Sequence, residues 1–95
     1  MMTANNKQKP KILIICMANY CRSPVAEVIL RSFIGNKYDI YSAGLRPMSI
    51  PDMDNRSRTF LENNGFENLI HYPKKLSRLD VISSKYIYAM DHFIL

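Results

Sequence analysis

The stretch Ile12-Leu13-Ile14-Ile15-Cys16-Met17-Ala18-Asn19-Tyr20-Cys21-Arg22-Ser23-Pro24 runs from an apolar segment through a short polar loop into a helix start. Ile12 to Cys16 is apolar without alternation, the pattern of a strand buried on both faces of a parallel sheet. Ser23-Pro24 marks a helix start, because serine caps helices and proline is favoured at the first helical position. Val25, Ala26, Ile29, Leu30 and Phe33 supply an apolar face, and Gly35 is placed to end the helix. Tyr38 to Ser42 then reads as a second strand, with Ala43-Gly44 turning out of it. The unit is strand, loop, helix, strand. Such crossovers are right-handed in nearly all cases and leave the two strands parallel.

Beyond Pro47 and Pro51, Asp52 is placed to cap a second helix over Met53 to Asn63, buried through Phe60 and Leu61 and ended by Gly65. Ser77 is placed to cap a short helical turn, and Tyr86 to Met90 is a third strand. The expectation is an α/β fold of three layers with a parallel sheet. The strand order should be 2-1-3, because the first strand must sit centrally for its loop to lie at a topological switch point. Met1 to Pro10 is expected to be a disordered leader, and residues 11–95 a single domain. Phe93-Ile94-Leu95 has the character of a first turn of an apolar-faced helix with nothing after it, so the domain is expected to be C-terminally incomplete, without a fourth strand.

Ninety-five residues allow one domain with a thin core. The 47% hydrophobic and 22% charged content fits a globular chain and argues against a disordered one. The net charge of +5 comes from scattered Lys and Arg, which favours anionic partners without naming one. Nothing in this pattern calls for nucleic acid or membrane. The two cysteines share one loop and form no disulfide framework or metal spacing, so a reduced, cytoplasmic protein is expected, with no metal and no cofactor. The polar N-terminus and the short apolar run after it do not make a signal peptide.

The loop Cys16 to Ser23 carries the chemistry. A loop curling onto a helix N-terminus points backbone N–H groups inward, and the helix dipole adds positive character. An arginine at its end, Arg22, offers a planar fork for two phosphate oxygens. A cysteine at its start, Cys16, sits in that field, which favours the thiolate and places it in line behind a bound phosphate. Ser23 is suited to donate a hydrogen bond to the sulfur. A free cysteine ending a buried strand is most often a small inert hydrophobe. Here the Cys-x5-Arg-Ser spacing between a strand and a Pro-started helix favours the phosphate loop.

The segment from Ile14 through Glu27 resembles the signature of the low-molecular-weight protein tyrosine phosphatases. Asn19 and Cys21 match positions inside that family's loop, Ser42-Ala43-Gly44 matches its Ser-Ala-Gly, and His71 to Ser77 stands where it has a His-containing segment. Tyr86 to Asp91 is similar to its third strand, and the likeness runs from about Ile12 to Leu95. The resemblance implies hydrolysis of a phosphomonoester, such as phosphotyrosine on a protein or a small phosphorylated substrate, through a phosphocysteine. Cys16 would be the nucleophile and Arg22 the clamp on the transferring group, assisted by Ser23. Met17, Ala18, Tyr20 and Cys21 would complete the phosphate loop, and Asn19 would hold its shape through Ser23, Ser42 and His71. Read alone, Ser42 is a strand-end turn residue and His71 a loop histidine. Cys21 is either a reversible disulfide partner for Cys16 or a buried small residue. Tyr20 is the one aromatic placed to flank the pocket, since Leu45 to Asp52 contains none.

The family's general acid is an aspartate in an Asp-Pro loop well beyond the third strand, and no Asp-Pro pair occurs in these 95 residues. Asp91 is a weak candidate substitute, since capping a following helix is sufficient to explain it. Two readings therefore stand side by side: a phosphatase, or an impaired form that binds phosphate or a phosphorylated ligand without efficient turnover. Arsenate reduction would need relay cysteines after Cys21, and there are none. A phosphocysteine carrier protein is disfavoured by Arg22.

Overall fold

The computed structural model describes residues 9–90. Strand β1 (Lys11–Cys16) is followed by α1 (Arg22–Ile34), β2 (Asp39–Gly44), α2 (Asn55–Asn63), α3 (Arg78–Ser83) and β3 (Tyr86–Ala89). The sheet is parallel in the order β2-β1-β3, as its switch-point role requires. The expected order 2-1-3 is the observed one. Pairing of Ile14 with Ser42 and of Cys16 with Gly44 brings the carboxyl ends of β1 and β2 level, just below the loop.

β1 is central, and Ile12 through Cys16 are all buried, as the unbroken apolar run demanded. Its alternate residues face opposite sides. Ile12 and Ile14 pack with Ile40 against Ala26, Leu30, Ile34 and Tyr38, so α1 covers that face. Leu13 and Ile15 pack with Ala43 against Leu76, just ahead of α3, on the other. Leu13 and Ile14 are each 1% exposed, and full burial of such side chains stabilises by about 1.5–3 kcal/mol apiece. No helix among the described residues is long and apolar enough to cross a membrane.

Several local expectations shift. The ladder begins earlier than Ile12: Asp39 N–H donates to the Pro10 carbonyl at 3.0 Å, and Lys9 Nζ reaches the Gly35 carbonyl at 2.9 Å. Residues 1–8 of the expected leader lie outside the described residues. α1 starts at Arg22 with Cys21 as its N-cap residue and no side-chain cap, because the Ser23 hydroxyl is used on Cys16 and Asn19 instead. The inward stripe of α1 runs at spacing four, Ala26, Leu30 and Ile34, so Phe33 falls outside it and is 76% exposed. The second helix is capped by Asp54 rather than Asp52. Asp54 accepts from Arg56 N–H, whereas Asp52 accepts from Met53 N–H and from the Arg58 side chain. Only Leu61 of that helix is buried, and Phe60, about 100° around the axis, is half exposed. Ser77 caps α3 as expected, in a capping box with Asp80.

Candidate active site

The loop between β1 and α1 is shaped from outside through its carbonyls. Cys16 C=O accepts from Leu45 N–H (3.3 Å), Met17 C=O from Arg46 N–H (2.8 Å), and Ala18 C=O from Met48 N–H (3.0 Å). Asn19 C=O accepts from His71 Nε2 (2.7 Å), which places a proton on that nitrogen, and Tyr20 C=O accepts from Asp54 N–H (3.0 Å). Every carbonyl from Cys16 to Tyr20 is thus drawn outward. In a trans peptide the N–H points opposite to the preceding C=O, so the N–H groups of residues 17–21 turn toward the inside of the loop. That is a backbone cradle for an anion, set at the start of a 13-residue helix.

Asn19 is the pivot. Its φ of 51° lies in the left-handed region, which asparagine tolerates better than most residues, and the side chain is fully buried. Nδ2 donates to Ser23 Oγ and to Ser42 Oγ, both at 2.9 Å, and Oδ1 accepts from Lys74 N–H at 2.8 Å. Cys16 Sγ lies 2.9 Å from Ser23 Oγ and accepts from Asn19 N–H at 3.2 Å. Arg22 opens α1 and extends Nη1 to the Met90 carbonyl at 3.2 Å, tying the loop to the end of β3. The structure thereby brings together Cys16, Asn19, Ser23, Ser42 and His71, with Met17, Ala18 and Tyr20 forming the loop wall and Arg22 at its helical end.

Cys21 is a free thiol on the outer side, beside Asp54 and Phe60. Burial, and next the negative charge of Asp54, push its pKa up. Asp91 lies outside the described residues.

Three participants were not singled out as site residues in the sequence. Lys74 enters through its backbone N–H, which no side-chain pattern reveals. Glu27 accepts from the Ser42 hydroxyl through Oε1, 15 residues away along the chain. Gly44 supports the loop from below. A Cβ there would stand 2.8 Å from Met17 O and 2.9 Å from Asn19 N, so the loop rests on this position only because it is glycine. The Ser-Ala-Gly match contained that signal.

Comparison with known proteins places the chain in a family. The family model for low molecular weight phosphotyrosine protein phosphatase matches residues 11–95. The chain is 33% identical over 88 residues to the Schizosaccharomyces pombe protein of that description, covering 85% of this chain and 56% of the relative. Among solved structures, the Drosophila arginine phosphatase superposes with a TM-score of 0.80 at 31% identity, covering 90% of this chain and 57% of that one. The Escherichia coli K30 tyrosine phosphatase Wzb, solved with sulphate, gives 0.81 at 28%, covering 92% and 60%. The chain thus spans somewhat over half the length of these relatives. A cysteine-led loop on a central parallel strand, and a family match over almost all the described residues, lead to one conclusion: this chain belongs to the low molecular weight phosphotyrosine protein phosphatase family.

Proposed function

We propose that the Cys16–Ser23 loop binds a phosphomonoester and that Cys16 takes up its phosphoryl group. The observation that carries this is the loop itself, with its carbonyls drawn outward and two hydrogen-bonding partners, Ser23 Oγ and Asn19 N–H, on the Cys16 sulfur. The sulfur attacks phosphorus as the P–O ester bond breaks, and the ester oxygen leaves and takes a proton from water. Water then attacks the phosphocysteine, releasing inorganic phosphate and returning the thiolate. Arg22 spreads its fork over two equatorial oxygens, exchanging its contact with Met90 O for the ligand. The similar E. coli enzyme was solved in complex with sulphate, an oxyanion of the class proposed for this loop. Phosphotyrosine is the substrate class that the family description favours, and the likeness to an arginine phosphatase makes phosphoarginine, whose P–N bond would break in place of a P–O bond, the runner-up. Two free thiols suit a cytoplasmic setting.

A second reading rests on a specific observation: the 95 residues contain no Asp-Pro pair. General acid catalysis is worth about 10²–10⁴-fold, so this chain should bind oxyanions and turn over slowly. The test measures vanadate binding together with hydrolysis of p-nitrophenyl phosphate and phenyl phosphate by the 95-residue chain. Binding should be retained, with p-nitrophenyl phosphate cleaved far faster because its leaving group needs little protonation. Cys16→Ser should abolish turnover, and Arg22→Lys should weaken vanadate binding because the bidentate fork is lost. Equal, rapid turnover of both substrates would sink the impaired-turnover reading, and Asp91 would become the first residue to substitute. Loss of neither binding nor turnover in Cys16→Ser would sink the phosphocysteine.

A further inference from the structure

We propose that Glu27 is a positioning residue that sets the direction of the hydrogen bonds ending on the Cys16 sulfur, acting through Ser42 and Asn19. The inference rests on the reading of Cys16 as nucleophile. Lys74 N–H can only donate, so the Asn19 amide atom 2.8 Å from it is the oxygen, and both amide protons lie on Nδ2. Those two protons go to Ser23 Oγ and Ser42 Oγ. Each hydroxyl therefore accepts from Asn19 and must direct its own proton elsewhere. Ser42 sends its proton to Glu27 Oε1, and Ser23 sends its proton to Cys16 Sγ, 2.9 Å away. A donor aimed at sulfur stabilises negative charge there.

The far end of this chain needs an acceptor, and Glu27 supplies two. While Oε1 takes the Ser42 proton, Oε2 accepts from Arg31 Nη2 at 2.5 Å, and the same Arg31 nitrogen also donates to the Ile40 carbonyl at 2.7 Å. The Glu27 side chain is only 16% exposed. An amide at this position has a single acceptor oxygen, and the arginine cation competes for it. Ser42 would then face an N–H₂ group, and its proton would turn back on the Asn19 amide. The Nδ2 bonds would loosen, and Ser23 would lose the constraint that aims its proton at sulfur.

The experiment is iodoacetamide labelling of the full 95-residue chain at pH 6, with Cys16 and Cys21 followed separately by peptide mass spectrometry. In the unsubstituted chain Cys16 should react faster than Cys21. If it does not, the nucleophile reading falls, and this inference with it. Glu27→Gln, nearly isosteric, should slow Cys16 about fivefold while leaving the Cys21 rate nearly unchanged. Removing the competing cation in Glu27→Gln/Arg31→Met should restore the Cys16 rate to within about twofold of the starting value. In a Ser42→Ala background, Glu27→Gln should have no further effect on Cys16. A merely structural Glu27 would instead tolerate Gln, or would slow Cys16 equally with and without the Ser42 hydroxyl. Either result overturns the proposal.

Discussion

At the carboxyl end of β1, Asn19 and Ser23 are completely buried, and the whole Asn19 amide is hydrogen-bonded. One strand away, β3 shows the reverse: Tyr86, Ile87 and Tyr88 are 40%, 43% and 54% exposed, and no strand pairs with its outer edge among the described residues. Beside it, an apolar groove of about 350 Å³ runs between Ile12, Ile14, Leu30, Ile34 and Tyr88. The polar side of the molecule is closed and the apolar side is open. Buried polar atoms are costly unless paired, and among the described residues every buried side-chain nitrogen and oxygen has a partner. The loop region should therefore be the intolerant one and the β3 edge the permissive one.

The sharpest way to break that comparison is Asn19→Leu. It strands the Lys74 N–H, removes the donor to the Ser23 and Ser42 oxygens, and puts a branched apolar residue at φ 51°. The expected loss is about 3–5 kcal/mol, at about 1–3 kcal/mol for each stranded group that water does not reach. Urea unfolding measures it, and a loss below about 1 kcal/mol would mean the network is not what closes this end.

Asp80 gives an intermediate, pH-dependent case. Burial alone would raise its pKa, but the Lys74 side chain and the Ser77 hydroxyl and N–H outweigh burial and hold the carboxyl below its usual range. A lowered folded pKa stabilises above the unfolded value near 3.9, and that contribution disappears as pH falls through the folded one. Asp80→Asn should cost about 1 kcal/mol at pH 7 and less at pH 3, with half-exposed Lys74 limiting the size. Thermal melts at the two pH values check the sign, and an equal cost at both would remove the charge from the explanation.

The smallest expected effect is at the edge. Tyr88→Thr should change stability by no more than about 0.5 kcal/mol, because the ring is over half exposed and threonine suits a strand. A loss of about 2 kcal/mol in the same urea experiment would show that the groove side is already packed in solution.

What the sequence made legible divides along similar lines. β1 and the loop spacing could be read because each rests on a contiguous pattern, and the order of the sheet because a switch-point loop needs β1 at the centre. The Ser77 cap, too, rests on a contiguous pattern. Phe33 and Phe60 were misplaced because apolarity alone does not say which side of a helix meets the sheet. Ala26, Leu30 and Ile34 set that side for α1. The Ser23 cap was misread because its hydroxyl had a second possible use, on sulfur, that only the returning loop provides. Ser42 and His71 entered through family resemblance. Glu27 and the Lys74 N–H did not enter as site residues at all, because their partners lie 15 and 55 residues away.

Those separations bear on the order of assembly. The contacts that shape the loop arrive from Leu45–Met48, from Asp54, from His71 across 52 residues and from Lys74 across 55. Closing such distances costs chain entropy before any of these bonds can form, so local helices and the β1–α1–β2 unit should organise first. The anion cradle then takes shape only when the later part of the chain has docked. If the loop binds oxyanions as proposed, their affinity becomes a late-stage reporter of folding, and vanadate or phosphate, by binding only the finished loop, should draw the folding equilibrium toward the assembled domain.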